Sequence, residues 1–69
     1  MIPYTEGTVL FTAKSGATLE VRNGNLYSTN ADEVQAALEQ DLQSANAFDR
    51  MMAMSIVELM VEHGVTSEV

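Results

Sequence analysis

The side chains best suited to nucleophilic or proton-transfer chemistry are one histidine, His63, and five serines, Ser15, Ser28, Ser44, Ser55 and Ser67; cysteine is absent. A nucleophilic hydroxyl needs a base beside it. None of the serines falls in a nucleophile-elbow pattern, and none has a local base along the chain. His63 falls at the expected C-terminus of a helix, where the dipole favours its cationic form in an ordinary capping role. The pair Asp32-Glu33 could move protons in principle, but an exposed first helical turn is a poor setting for it. Gly16 and Gly24 sit in turns, and no phosphate-cradling loop is present. Without cysteine there is no thiolate zinc site, and one histidine excludes a multi-histidine site within one chain. Methionine thioethers bind copper when they converge in exposed, flexible segments. Met51, Met52, Met54 and Met60 instead crowd one helical stretch, the pattern of adaptable core or interface filler. A chain of 69 residues also lacks room for a closed pocket of about 300 Å³ or more. The expectation is a protein with no catalytic residues, no cofactor and no metal.

Charge narrows the partners. The formal net charge is -7. Glu6, Glu20, Lys14 and Arg22 cancel in residues 1–30, whereas Asp32, Glu33, Glu39, Asp41, Asp49, Glu58, Glu62 and Glu68 face only Arg50 in residues 31–69. The C-terminal half therefore carries the whole net charge. Such a surface repels nucleic-acid phosphates and anionic membranes, so direct contact with either is not expected. The acidic residues form either a solvated helix face or a docking face for a basic partner. Met1 to Gly7 lacks the basic-then-apolar layout of a signal peptide. No stretch approaches the roughly 18 apolar residues of a membrane span, so a soluble chain is expected.

The elements follow from periodicity. Thr8 to Ala13 alternates, with Val9, Phe11 and Ala13 on one face. Lys14-Ser15-Gly16 is a turn. Ala17 to Arg22 alternates again, with Ala17, Leu19 and Val21 inward. Asn23-Gly24 is the strongest short hairpin signal, because a type I′ turn needs positive φ at both central residues. It predicts Arg22 opposite Asn25 and Val21 opposite Leu26, with a short third strand over Leu26, Tyr27 and Ser28. At Thr29-Asn30 the period changes from two to 3.6 residues. Asn30 with Glu33 fits a capping box, and Thr29 with Asp32 is the alternative register. Val34, Ala37, Leu38 and Leu42 make one stripe, and Ala45, Phe48, Met52, Ile56, Leu59 and Met60 continue it. One helix from Ala31 to His63 is possible. Two helices are favoured, broken within Leu42 to Asn46, because Gln43-Ser44-Ala45-Asn46 is weakly apolar and rich in local hydrogen-bonding side chains. Asp41, Ser44 or Asn46 would cap the second. Gly64 is a good stop signal, and Val65 to Val69 reads as a loose tail. The expected fold is α+β in a single domain over residues 1–69. A three-stranded antiparallel meander (1–29) precedes one long or two shorter helices (30–64) and a loose end (65–69).

The second helical segment is apolar on too many sides. At about 100° per residue, Met52, Ile56, Leu59 and Met60 cover one side, while Met54, Val57 and Val61 cover another with Met51 beside them. A helix on a three-stranded sheet needs one apolar stripe. Leaving three or four large side chains in water forfeits about 1.5–3 kcal/mol each. That rivals the whole stability of so small a domain, about 3–5 kcal/mol. Met51, Met54, Val57 and Val61 are therefore the expected contact with another protein chain, either self or a neighbouring subunit.

The run Val21-Arg22-Asn23-Gly24-Asn25-Leu26-Tyr27-Ser28-Thr29-Asn30-Ala31-Asp32-Glu33-Val34-Gln35-Ala36-Ala37-Leu38, within residues 10–38, resembles short virion-associated proteins of tailed phages. In these a hairpin leads through an aromatic or apolar strand into a Thr-Asn/Asp helix start. The Met-rich second helix departs from that pattern, and no functional residues carry over. The resemblance implies a structural part of a phage virion, a cement or minor capsid protein bound to capsid or neighbouring subunits. It would be found in the virion, and in host cytoplasm before assembly. Two other classes fit the residues: a small acidic inhibitor that mimics DNA, and a homo-oligomeric adaptor.

Overall fold

The computed structural model describes residues 2–69. The chain folds as α+β: β1 (Val9–Thr12), β2 (Thr18–Arg22), β3 (Asn25–Ser28), α1 (Ala31–Leu42), α2 (Ala47–His63) and β4 (Thr66–Ser67). The sheet order is β1-β2-β3-β4. The first three strands are the expected antiparallel meander, with Arg22 opposite Asn25 and Val21 opposite Leu26. Asn23 and Gly24 both take positive φ, 54° and 75°, as a type I′ turn requires. The Glu6 carboxylate accepts the N–H groups of both turn residues, at 2.6 Å from Asn23 and 3.1 Å from Gly24. That contact ties the N-terminal segment to the hairpin and brings Ile2 into the core.

Strict alternation fails in β1. Val9 pairs with Glu20 and Phe11 with Leu19, so Leu10 is the extra residue of a bulge. The bulge turns Val9 outward and leaves both Leu10 and Phe11 packed against the core. The expectation that Val9, Phe11 and Ala13 share one face is corrected accordingly: Val9 is exposed, while Phe11 packs against the core and Ala13 is buried.

The core lies between one sheet face and the two helices. Leu19, Val21 and Leu26 from the sheet meet Val34 and Leu38 from α1, all but fully buried. Each such burial is worth about 1.5–3 kcal/mol. Asn30 caps α1 in the expected register: its Oδ1 accepts the Glu33 N–H at 3.3 Å, and its Nδ2 donates to the Glu33 carboxylate at 3.1 Å. Thr29 is used elsewhere, its Oγ1 accepting the Thr18 N–H. The helical half is two helices. Asn46 caps the second through the Phe48 N–H at 2.8 Å, and Ser44 Oγ accepts the Asn46 N–H.

Residues 65–69 are not a loose tail. The chain leaves α2 at Gly64 (φ 73°), and Thr66–Ser67 pairs parallel to β3. The Glu68 N–H donates to the Ser28 carbonyl at 2.8 Å. Ser67 Oγ accepts the Ala31 N–H at 2.9 Å, so the tail caps a free donor at the start of α1. The meander thus becomes a four-stranded sheet. Two polar residues carry no periodic signal; only the return of α2 brings them beside β3.

Candidate interaction surface on the second helix

All five serine hydroxyls are engaged in hydrogen bonds, four of them within five residues and that of Ser67 across the fold. Ser15 accepts the Ala17 N–H, Ser28 the Asn30 N–H and Ser67 the Ala31 N–H. Ser44 donates to the Asp49 carboxylate at 3.3 Å, and Ser55 donates to the Met51 carbonyl at 3.1 Å. His63 sits in the last turn of α2 with Nε2 3.9 Å from the Glu62 carboxylate. Among the described residues no group of three or more histidines and carboxylates could hold a metal ion, and no helix is long and apolar enough to cross a membrane.

The described residues form grooves that are partly open to solvent. One, about 440 Å³, runs between the β1–β2 turn and α1, with Lys14, Glu33 and Asp41 among its walls. Another, about 430 Å³, runs between α1 and the C-terminal half of α2 over Leu38, Leu42, Val57, Met60 and Val65.

The largest apolar exposure lies on α2. Its buried residues are Ala53 and Ile56, with Val57, Leu59 and Met60 half-buried around them. Ala53, Ile56, Val57 and Met60 follow the spacing i, i+3, i+4, i+7, a single stripe. Ala53 begins that stripe and is all but fully buried. Apart from Asp49, half-buried beside Ser44, the rest of α2 faces out. Phe48 is 67 % exposed, Met51 69 %, Met52 45 %, Met54 56 % and Val61 80 %. Met51, Met54 and Val61 lie where the sequence places them, at the surface. Val57 does not share their freedom: it packs against the core and lines the α1–α2 groove. Met52 and Phe48, expected inward, are outward. Ala53 belongs to the buried stripe, and a count of large apolar residues overlooks it.

Phe48, Met51, Met52 and Ser55 therefore run along one side of α2, with the half-buried Leu59 at its edge. Ser55 is the small residue among them, with Met51 and Met52 a turn before it and Glu58 and Leu59 a turn after. The charges near this side are uneven. Glu58 and Glu62 are exposed towards its C-terminal end, while Arg50 donates to the Ser44 carbonyl at 2.6 Å and Asp49 accepts from Ser44.

The open face of the sheet is polar. Arg22 lies 3.8 Å over the Tyr27 ring and pairs with Glu20 at 3.4 Å. Desolvation by its neighbours pushes the Tyr27 phenol above its ordinary range. The Glu68 carboxylate adds to that, and Arg22 opposes it.

No protein-family model matches the sequence, and neither a curated protein nor a solved structure matches it.

Proposed function

We propose that this chain is a non-enzymatic assembly module that binds another protein chain through the outward side of α2. The observation that carries the reading is the exposure of Phe48, Met51 and Met52 along one side of α2. Contiguous apolar patches on soluble monomers are small and often functional. Covering these side chains would return about 1.5–3 kcal/mol for each one fully buried. The serines, each engaged in a structural hydrogen bond, support a binding rather than a catalytic role. The resemblance of residues 10–38 to tailed-phage virion proteins gives the reading its specific form, a capsid-associated cement or minor capsid protein. In that form the acidic residues keep the free subunit apart from its neighbours until assembly.

The test is the native mass of the complex in which the chain is found, for the wild type and for Phe48→Glu combined with Met51→Glu. The wild type is expected in a larger assembly. The variant is expected at the mass of a single chain, with an unchanged far-UV circular dichroism spectrum. A variant that keeps its place in the native complex overturns the reading.

A further inference from the structure

We infer that the occupant of this side of α2 is a basic amphipathic helix of a different protein, seated with an apolar side chain over Ser55 and with lysines or arginines against Glu58 and Glu62. The inference rests on the protein-binding reading above and names the chemistry of the partner.

Shape supplies the first argument. Phe48, Met51 or Met52, Ser55 and Leu59 repeat at the spacing that a packed helix meets, over about 17 Å of helix. Large side chains rim the short one at Ser55, which makes a hollow of the kind that takes a knob from a facing helix. The hollow is dry in its chemistry as well, because the Ser55 hydroxyl already donates to the Met51 carbonyl at 3.1 Å. An apolar knob seated there leaves no donor without a partner.

Area and charge then choose the occupant. Exposures of 67, 69 and 45 % on Phe48, Met51 and Met52 leave roughly 350 Å² of apolar seam, at roughly 200 Å² for a whole side chain of this size. A stable pair buries roughly 800 Å² on each partner. The apolar seam alone falls short, so polar contacts must add to it. A second copy supplies the wrong ones. Each copy carries -7. An antiparallel pair that sets Phe48 over the other copy's Ser55 brings Glu58 and Glu62 against a chain of the same net charge. A parallel pair sets Glu58 against Glu58. A basic helix meets the same two carboxylates with opposite charge, and the cation nearest the start of the seam, Arg50, is already committed to Ser44. Complementary charge also speeds the encounter and sets its register.

The test uses the whole chain and a fluorescein-labelled peptide of about 18 residues, with leucine on one helical stripe and lysine on its flanks. A twin peptide carries glutamate in place of lysine, and binding is read by fluorescence anisotropy. The lysine peptide is expected to bind at least about tenfold tighter than its twin, and to lose at least about tenfold between roughly 50 and 500 mM salt. Ser55→Phe, which fills the hollow, is expected to weaken binding by about tenfold. Glu58→Lys with Glu62→Lys is expected to reverse the preference in favour of the glutamate twin. Circular dichroism checks that each variant is folded. Lysine-peptide binding that ignores all three substitutions, or no binding of either peptide, overturns the inference. So does self-association of the free chain that strengthens with salt, which would make the occupant a second copy. Each of these leaves the protein-binding reading standing; that reading falls only if Phe48→Glu with Met51→Glu keeps its place in the native complex.

Discussion

The two helices pack against the same sheet and against each other, yet they spend their apolar residues differently. In α1 the fully buried side chains are Val34 and Leu38, and the exposed positions are Asp32, Glu33, Gln35, Ala36, Glu39 and Gln40. Its apolar residues serve the fold. In α2 only Ala53 and Ile56 are buried, while Phe48, Met51, Met52, Met54 and Val61 stand in water. The difference teaches that a helix needs one stripe to dock. The apolar surface beyond that stripe is what the proposed partner would cover.

The contrast can be broken most forcefully in α1. Leu38→Ala is expected to cost about 2–5 kcal/mol, because the site is fully buried and a cavity remains. Urea unfolding followed by circular dichroism measures it, and a domain of this size should be largely unfolded by the change. A loss below about 1 kcal/mol would mean that α1 is not the helix that holds the core. A smaller effect is expected at the start of α2. Asn46→Ala removes the acceptor of the Phe48 N–H and should cost about 1 kcal/mol. Asn30→Ala at α1 makes the matched comparison, and the difference between the two in the same unfolding assay reports how far each helix depends on its cap.

Smaller again is the effect on stability of the outward α2 residues. Met51→Ala and Met54→Ala should each stay within about 0.5 kcal/mol of the wild type in urea. Either substitution costing as much as Leu38→Ala would show that α2 spends those residues on its own fold, and the contrast between the helices would vanish.

The gentlest test concerns the tail that α2 returns to the sheet. Tyr27 holds its proton above the ordinary tyrosine range through desolvation, helped by Glu68 just beyond β4. A phenol whose folded pKa is raised contributes stability that is fully present below the unfolded value of about 10. That contribution is lost as pH rises through the folded value. An absorbance titration in a Tyr4→Phe background should place Tyr27 above the free phenol, and Glu68→Gln should move it part of the way back. No movement would mean that Glu68 is not held against the sheet.

Much of this molecule was legible along the chain because its signals are local. Asn23-Gly24 specifies a turn that few other dipeptides make, and so sets the register of β2 and β3. Asn30 and Glu33 mark a helix start with groups three residues apart. Gln43 to Asn46 break the helical half because their side chains compete for nearby backbone donors, as the Ser44 and Asn46 bonds bear out. Met51, Met54 and Val61 were legible as surplus, since no single stripe holds them together with Ile56 and Met60.

The rest was not local. Val9 turns outward because of a bulge that exists only once β1 is laid against β2. Phe48 and Met52 face water because the stripe of Ala53, Ile56, Val57 and Met60 is the one that packs against the core. Thr66 and Ser67 are a strand because a 17-residue helix ends where β3 has an open edge. Composition and period settle how much apolar surface an element carries. Which part of it stays in water is settled by backbone distances between elements far apart in the chain, and these exist only after packing.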